Sequence, residues 1–309
     1  MKVVIIGGGG VVGSTTAFQV AYEGKATEIV LFDARRNMAD AHALDIQQSI
    51  ARRSSTRVYA GGIEDTENSD IILMAAGVPY RQAAASRTEL FLDNLSLISD
   101  IMGRLSILSP TALWIVATAP VDPIVYLMYQ AFSLPRQKVI GLNQNDTSRF
   151  RLAIAETLSV PATAVEAFVL GEHGRNQVPI FSRIRIHGET VNLTSAQTGQ
   201  IREKISDFFV QWHNLHPGRT PGWTSAVSLG DIIGSFISGD GQIWVCSIPL
   251  EGEYGLKEVS LGVPIKFGRD GVQEIIELDL DAEERSGLEA SAAAVKRQVA
   301  EGMGSLKKS

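Results

Sequence analysis

The turn that follows the first apolar run constrains this chain most. "KVVIIGGGGVVGSTTAFQVAYEG" opens with β-branched residues, passes through four consecutive glycines and continues as an amphipathic segment. Gly8, Gly10 and Gly13 satisfy G-x-G-x-x-G between a strand and a helix. Glycine permits the tight turn there and lets backbone N–H groups approach a pyrophosphate held at the helix N-terminus. A second strand candidate, "EIVLFD", ends at Asp33, 20 residues beyond Gly13, where a carboxylate can accept hydrogen bonds from an adenosine ribose. The glycines alone are a weak signal; strand, helix and acid together indicate a dinucleotide site. Asp33 repels a 2′-phosphate and favours NAD over NADP, although Arg35 and Arg36 are the residue type that accepts the extra phosphate.

The rest of the first half continues the alternation. "RVYAGG", "DIILMAAG" and "ALWIVATA" read as further strands, and "MADAHALDIQQSIAR" and "RTELFLDNLSLISDIMGRLSIL" carry apolar residues at helical spacing. Parallel strands joined by crossover helices form a doubly wound α/β sheet, so a Rossmann domain is expected over residues 1–143. The texture then changes. A helix from Asp146 to Leu158, a strand at "AVEAFVLG", an amphipathic stretch at 195–215, strands in "QIWVCSIPLEGEYG", "EVSLGVPIKFG" and "VQEIIEL", and a helix from about Asp281 predict an α+β substrate domain over 144–309. At 309 residues, two lobes suit the size at which single cores stop growing.

Composition narrows the function classes. The 28 basic and 34 acidic residues are mixed along the chain, which leaves no basic footprint for nucleic acid. The first apolar run is too short for a membrane span and lacks a cleavage pattern, and Cys246, the only cysteine, fits a reducing compartment. A cytoplasmic enzyme without a membrane or nucleic-acid partner is expected. His213, His216 and Asp207 read as a solvated face, and no metal is expected.

Chemistry beside a dinucleotide belongs in loops at strand ends. "AAGVPYRQAAASR" carries Arg81 and Arg87 six residues apart, "NDTSRFR" puts Asp146 and Arg149 on one helix face, and "LGEHGRNQVP" sets His173 between an acid and a glycine. With "FDARRNMADAHALDIQ", "GGIEDTENSDIILMAAGVP", "LEGEYG" and "LGVPIKFG", these stretches resemble the lactate/malate dehydrogenase family over nearly the whole length. The resemblance implies that His173 donates and accepts the proton, that Asp146 pairs with it, and that Arg149 grips the substrate carboxylate while Arg87 polarises the reacting carbonyl. The cofactor-binding set expected from the glycine turn and the resemblance is Gly8, Gly10, Val11, Val12, Gly13, Asp33, Ala76, Gly77, Asn94 and Thr118. A homodimer or homotetramer is also implied.

The chemistry agrees. Reduction of a 2-keto acid needs a proton near neutral pH, which histidine supplies, and a guanidinium holds a carboxylate through two parallel hydrogen bonds. Arg81, six residues before Arg87, matches the position that meets a second carboxylate in family members acting on malate, so a small dicarboxylic 2-hydroxy or 2-keto acid is expected. Lactate or a bulkier 2-hydroxy acid, with Tyr80 shaping the pocket, is the alternative; a nucleotide-binding protein of weak activity is another. Two departures motivate the latter. "TAPVD" has Ala119 where the family has an asparagine, and "GEHGR" brings Arg175 close enough to depress the His173 pKa if it points inward.

Overall fold

Runs as uniformly apolar as Ile71–Met74 make stable strands only where both faces of a sheet are covered. The computed structural model describes residues 1–78, 87–219 and 221–306, and within them that covering is complete. The first half runs β1 (Lys2–Ile6), α1 (Val11–Tyr22), β2 (Glu28–Phe32), α2 (Arg36–Ser49), β3 (Arg57–Ala60), β4 (Ile71–Met74), α3 (Arg87–Leu108), β5 (Leu113–Val116), α4 (Val121–Ala131) and β6 (Val139–Leu142). These strands are all parallel, in the order β3-β2-β1-β4-β5-β6, with Ile5 of β1 aligned to Leu31 of β2 and Leu73 of β4. Strand order reverses between β1 and β4, so their carboxyl ends open a crevice there. The doubly wound sheet expected from the sequence is present.

The second half runs α5 (Gln144–Leu158), β7 (Val165–Glu166), β8 (Val169–Gly171), β9 (Gln177–Pro179), β10 (Arg185–Ile186), β11 (Glu189–Thr190), α6 (Ser195–Asn214), α7 (Trp223–Ser238), β12 (Ile243–Glu251), β13 (Lys257–Gly268), β14 (Gly271–Ile275) and α8 (Ala282–Leu306). It extends the same sheet. β12 pairs antiparallel with β6 through Leu142–Cys246 and Gly141–Ser247, and β13, β8 and β9 follow, with β14 on the same edge of β13 as β8. One apolar core therefore runs from Val3 to Val299, and a smaller one gathers Phe150, Ile154, Val165, Ile184 and Ile201 beneath a three-stranded sheet of β7, β10 and β11.

One expected element divides. "AVEAFVLG" is two strands in two different sheets, because the Thr147 hydroxyl accepts the Val169 amide at 3.0 Å and the Ile180 amide takes the Phe168 carbonyl. Those bonds redirect the chain at Ala167–Phe168. The redirection carries β8 towards α5, and the turn after β8 holds His173.

Candidate active site

The turn between β1 and α1 is shaped by missing side chains. Gly7 sits at φ +91°, and a methyl on Gly13 would strike the Gly7 carbonyl while one on Gly8 would meet the Leu31 side chain. Gly10 caps α1 without a side-chain bond, so the first-turn amides of Val11, Val12 and Gly13 stay available to an anion, where the helix dipole favours one. Asp33 braces the turn: it accepts the Gly9 amide at 2.9 Å and the Arg35 amide at 2.8 Å. Each of its oxygens keeps a lone pair for ribose. Arg35 is turned onto the Gly9 carbonyl, and Arg36 is held by Asp40 and the Ala60 carbonyl. A glycine cradle that any Cβ would fill, with a carboxylate at the end of β2, fits a dinucleotide.

Across the crevice, one amide ties two strand ends together. Buried Asn94, on α3, accepts the Val78 N–H at 2.8 Å and donates to the Ala119 carbonyl at 2.8 Å. A Cβ on Gly77 would crowd the Asn94 oxygen, and the Thr118 hydroxyl donates to the Ala76 carbonyl. The residues after β4 and β5 that the resemblance assigns to the cofactor thus form one braced edge. Ala119 itself is exposed.

The polar cluster lies at the seam between the parallel and antiparallel strands. Three residues apart on α5, Asp146 and Arg149 share a face, with Arg149 Nη1 2.7 Å from Asp146 Oδ1. His173 Nδ1 lies 2.6 Å from Asp146 Oδ2, so one carboxylate joins the imidazole and the guanidinium. Asp146 is almost sealed at 6% side-chain exposure, while His173 keeps 21%. Burial opposes charging the imidazole, yet the Asp146 carboxylate and its hydrogen bond outweigh that and hold the His173 pKa above its ordinary value. Burial also lowers Arg149 against the pull of Asp146, and the guanidinium lies 4.6 Å from the Phe208 ring centre. The outer ring nitrogen, Nε2, is the atom left to exchange a proton.

Arg175 does not enter this balance. It is exposed, and the charged groups that act on His173 are Asp146, Asp122 and Arg149. The inward placement that would have depressed the histidine is not adopted. Arg81 lies outside the described residues, as does the side chain of Arg87, whose backbone opens α3.

Three residues missing from the sequence reading hold the histidine from behind. Asp122, in the first turn of α4, accepts the His173 amide at 2.7 Å, the Ser247 hydroxyl at 2.6 Å and the Asn143 side-chain amide at 3.2 Å. Asn143 also donates to the Gly171 carbonyl at 3.1 Å. Desolvation pushes the Asp122 pKa up to about 6 in spite of those hydrogen bonds. The signals in the sequence were its place in "TAPVD" and an aspartate inside the otherwise apolar "VDPIVYLM".

A glycine cradle for a dinucleotide and, on the same sheet, a partly buried histidine–aspartate–arginine cluster are the equipment of a nicotinamide-dependent oxidoreductase. Residues 1–141 match the lactate/malate dehydrogenase NAD-binding domain, and residues 222–305 match the lactate/malate dehydrogenase alpha/beta C-terminal domain. The chain belongs to the lactate/malate dehydrogenase family, and its cofactor is NAD. It is 31% identical to a malate dehydrogenase of Halobacterium salinarum over 96% of this chain and 98% of that one. It is equally 31% identical to L-lactate dehydrogenase 1 of Clostridium acetobutylicum, over 96% and 97%. Among solved structures, malate dehydrogenase from Salinibacter ruber is similar throughout, with a TM-score of 0.91, 30% identity and coverage of 100% of this chain and 99% of that one.

Proposed function

We propose that this oxidoreductase is an NAD-dependent malate dehydrogenase, interconverting malate and oxaloacetate with His173 as the proton donor and acceptor. The observation that carries the proposal is the Asp146 carboxylate shared by His173 Nδ1 and Arg149 Nη1. In this reading residues 1–143 hold the cofactor and 144–309 supply the polar groups, with α4 contributing from the first part. The glycine turn at Gly8, Gly10 and Gly13, with Asp33, would hold NAD, which would supply the hydride acceptor in oxidation and the donor in reduction. Asp146 keeps Nδ1 as the protonated ring nitrogen, so Nε2 takes the hydroxyl proton during oxidation and gives it back to the ketone oxygen during reduction. Arg149 pairs with the carboxylate next to the reacting carbon, and Asp146 pre-orients it. Arg87 polarises the carbonyl, and Arg81 meets the second carboxylate.

L-lactate dehydrogenase activity is the competing reading, supported by relatives of that name at comparable identity. A steady-state assay with NADH against oxaloacetate, pyruvate and a branched 2-keto acid separates the two. Arg81→Gln sharpens it: oxaloacetate turnover collapses while pyruvate turnover is spared, because a pocket guanidinium facing pyruvate leaves a charge unpaired at about 2–5 kcal/mol. Unchanged oxaloacetate kinetics would remove Arg81 from the selecting role. A homodimeric or homotetrameric state and a cytoplasmic location accompany this reading, and light scattering checks the first. Among the described residues, no helix is long and apolar enough to cross a membrane.

A further inference from the structure

Arg149 keeps only 13% of its side chain exposed, so little water reaches its charge. Its ionic partner is divided: one oxygen of Asp146 takes Arg149 Nη1, and the other lies on His173 Nδ1. One negative charge thus serves a guanidinium and an imidazole whose pKa is held above its ordinary value. A different helix completes the surroundings of Arg149. α6 sets Ile201, Ile205, Phe208 and Trp212 at spacings that share one helix face. Ile201 and Ile205 join Phe150 and Ile154 of α5 in one buried cluster. The same face carries Phe208 to Arg149, whose guanidinium carbon lies over the ring, 4.6 Å from its centre.

The ring is itself braced. Trp212, one turn further on, stacks on Phe208 with centroids 6.4 Å apart and an interplanar angle of 23°. The Arg219 guanidinium lies 5.2 Å from the Trp212 ring centre, and Trp212 Nε1 donates to the Arg219 carbonyl at 3.1 Å. Arg149, Phe208, Trp212 and Arg219 therefore form one stack, which runs from α5 to the segment before α7. A second carboxylate beside Arg149 would occupy its N–H donors and cancel the positive charge that a ligand carboxylate needs. An aromatic face attracts the cation, most strongly where water is excluded, and does neither.

We propose that Phe208 is a positioning residue for substrate binding: its π face steadies the Arg149 guanidinium, already pinned at Nη1 by Asp146, in one orientation for the carboxylate beside the reacting carbon. Phe208 acts through Arg149 and touches no reacting atom. The inference rests on Arg149 being the group that grips that carboxylate. It applies to oxaloacetate and pyruvate alike, because both carry a carboxylate at that position.

The test compares KM and kcat, for whichever of oxaloacetate and pyruvate the enzyme reduces, in wild type and four variants, with NADH affinity followed by fluorescence. The variants are Phe208→Leu, Phe208→Tyr, a protein carrying pentafluorophenylalanine at position 208, and Arg149→Lys. Phe208→Leu keeps apolar bulk and removes the π face, so KM should rise about tenfold while kcat and NADH affinity stay within about twofold. Phe208→Tyr keeps the face and should restore a KM close to that of wild type. Pentafluorophenylalanine keeps the shape of the ring and reverses the charge on its face, so it should raise KM as leucine does. Because it barely alters packing, it keeps the test decisive if Phe208→Leu does not fold. A wild-type KM with the fluorinated ring would reduce Phe208 to a space-filler and overturn the proposal, whatever Phe208→Leu does. Arg149→Lys keeps the two readings apart: an unchanged KM there sinks the grip of Arg149 on the substrate, whereas a raised KM beside an unmoved fluorinated variant sinks only Phe208.

Discussion

The glycine turn and the histidine–aspartate–arginine cluster lie along the same row of strand ends and are built from opposite materials. Between β1 and α1 the site is backbone, made by the absence of side chains at Gly7, Gly8 and Gly13, and held by one nearby carboxylate, Asp33. Beside α5 the site is nearly all side chain: one carboxylate is shared by a histidine and an arginine, and a second is sealed behind them. Dinucleotide phosphates are met by dipoles that need no counter-charge, whereas proton transfer needs a group poised between two charge states. The first can be spelled out locally; the second has to be assembled from distant segments that balance one another's charge.

Substitutions should separate the two regions. His173→Asn should lower kcat by about 10³-fold or more while NADH affinity, measured by fluorescence, is retained. Equal loss of NADH binding would mean that the regions are not independent. Arg149→Lys should cost about 10²-fold in kcat/KM for the keto acid, because an ammonium cannot reproduce the paired geometry at Asp146 and substrate. Gly13→Ala is the converse: its methyl meets the Gly7 carbonyl, and overpacking of about 1–3 kcal/mol should appear as weaker NADH binding and a lower Tm, with the pH profile untouched. Wild-type profiles should follow the raised His173 pKa. Oxidation, which needs the neutral ring, falls as pH drops through that value; reduction, which needs the imidazolium, falls as pH rises through it. The smallest effect is expected at exposed Ala119, where Ala119→Asn restores the family's amide beside the braced edge and should raise kcat by about tenfold at most.

How much was legible follows the same division. β1 to β5 and α1 to α3 can be read because strand runs and helical periodicity are strong there, and the glycine turn with Asp33 is a spacing within one βαβ unit. α4 escapes because Val121 to Met128 are buried all round, which leaves no polar face to set a period. α7 escapes because Gly230 and Gly234, poor helix formers, lie against Gln19 and Lys25. In the site, motif resemblance pointed to His173, Asp146 and Arg149, and the structure brings them together. The role of Asp122 in the cluster was not legible, although "TAPVD" contains it. Its partners Asn143, His173 and Ser247 lie 21, 51 and 125 residues away, and no local pattern encodes such a meeting. Arg175 shows the limit in the other direction, since a charge two positions from the histidine is exposed.

The ladder between β6 and β12 is only two residue pairs long, yet it fuses the two halves into one continuous sheet. Slipping that ladder by a single residue would turn every β12 side chain to the opposite face, taking the Ser247 hydroxyl away from α4. Heat should therefore undo both halves in one calorimetric peak. Damage at the seam should be felt as lost cooperativity across the whole molecule before it is felt as lost shape.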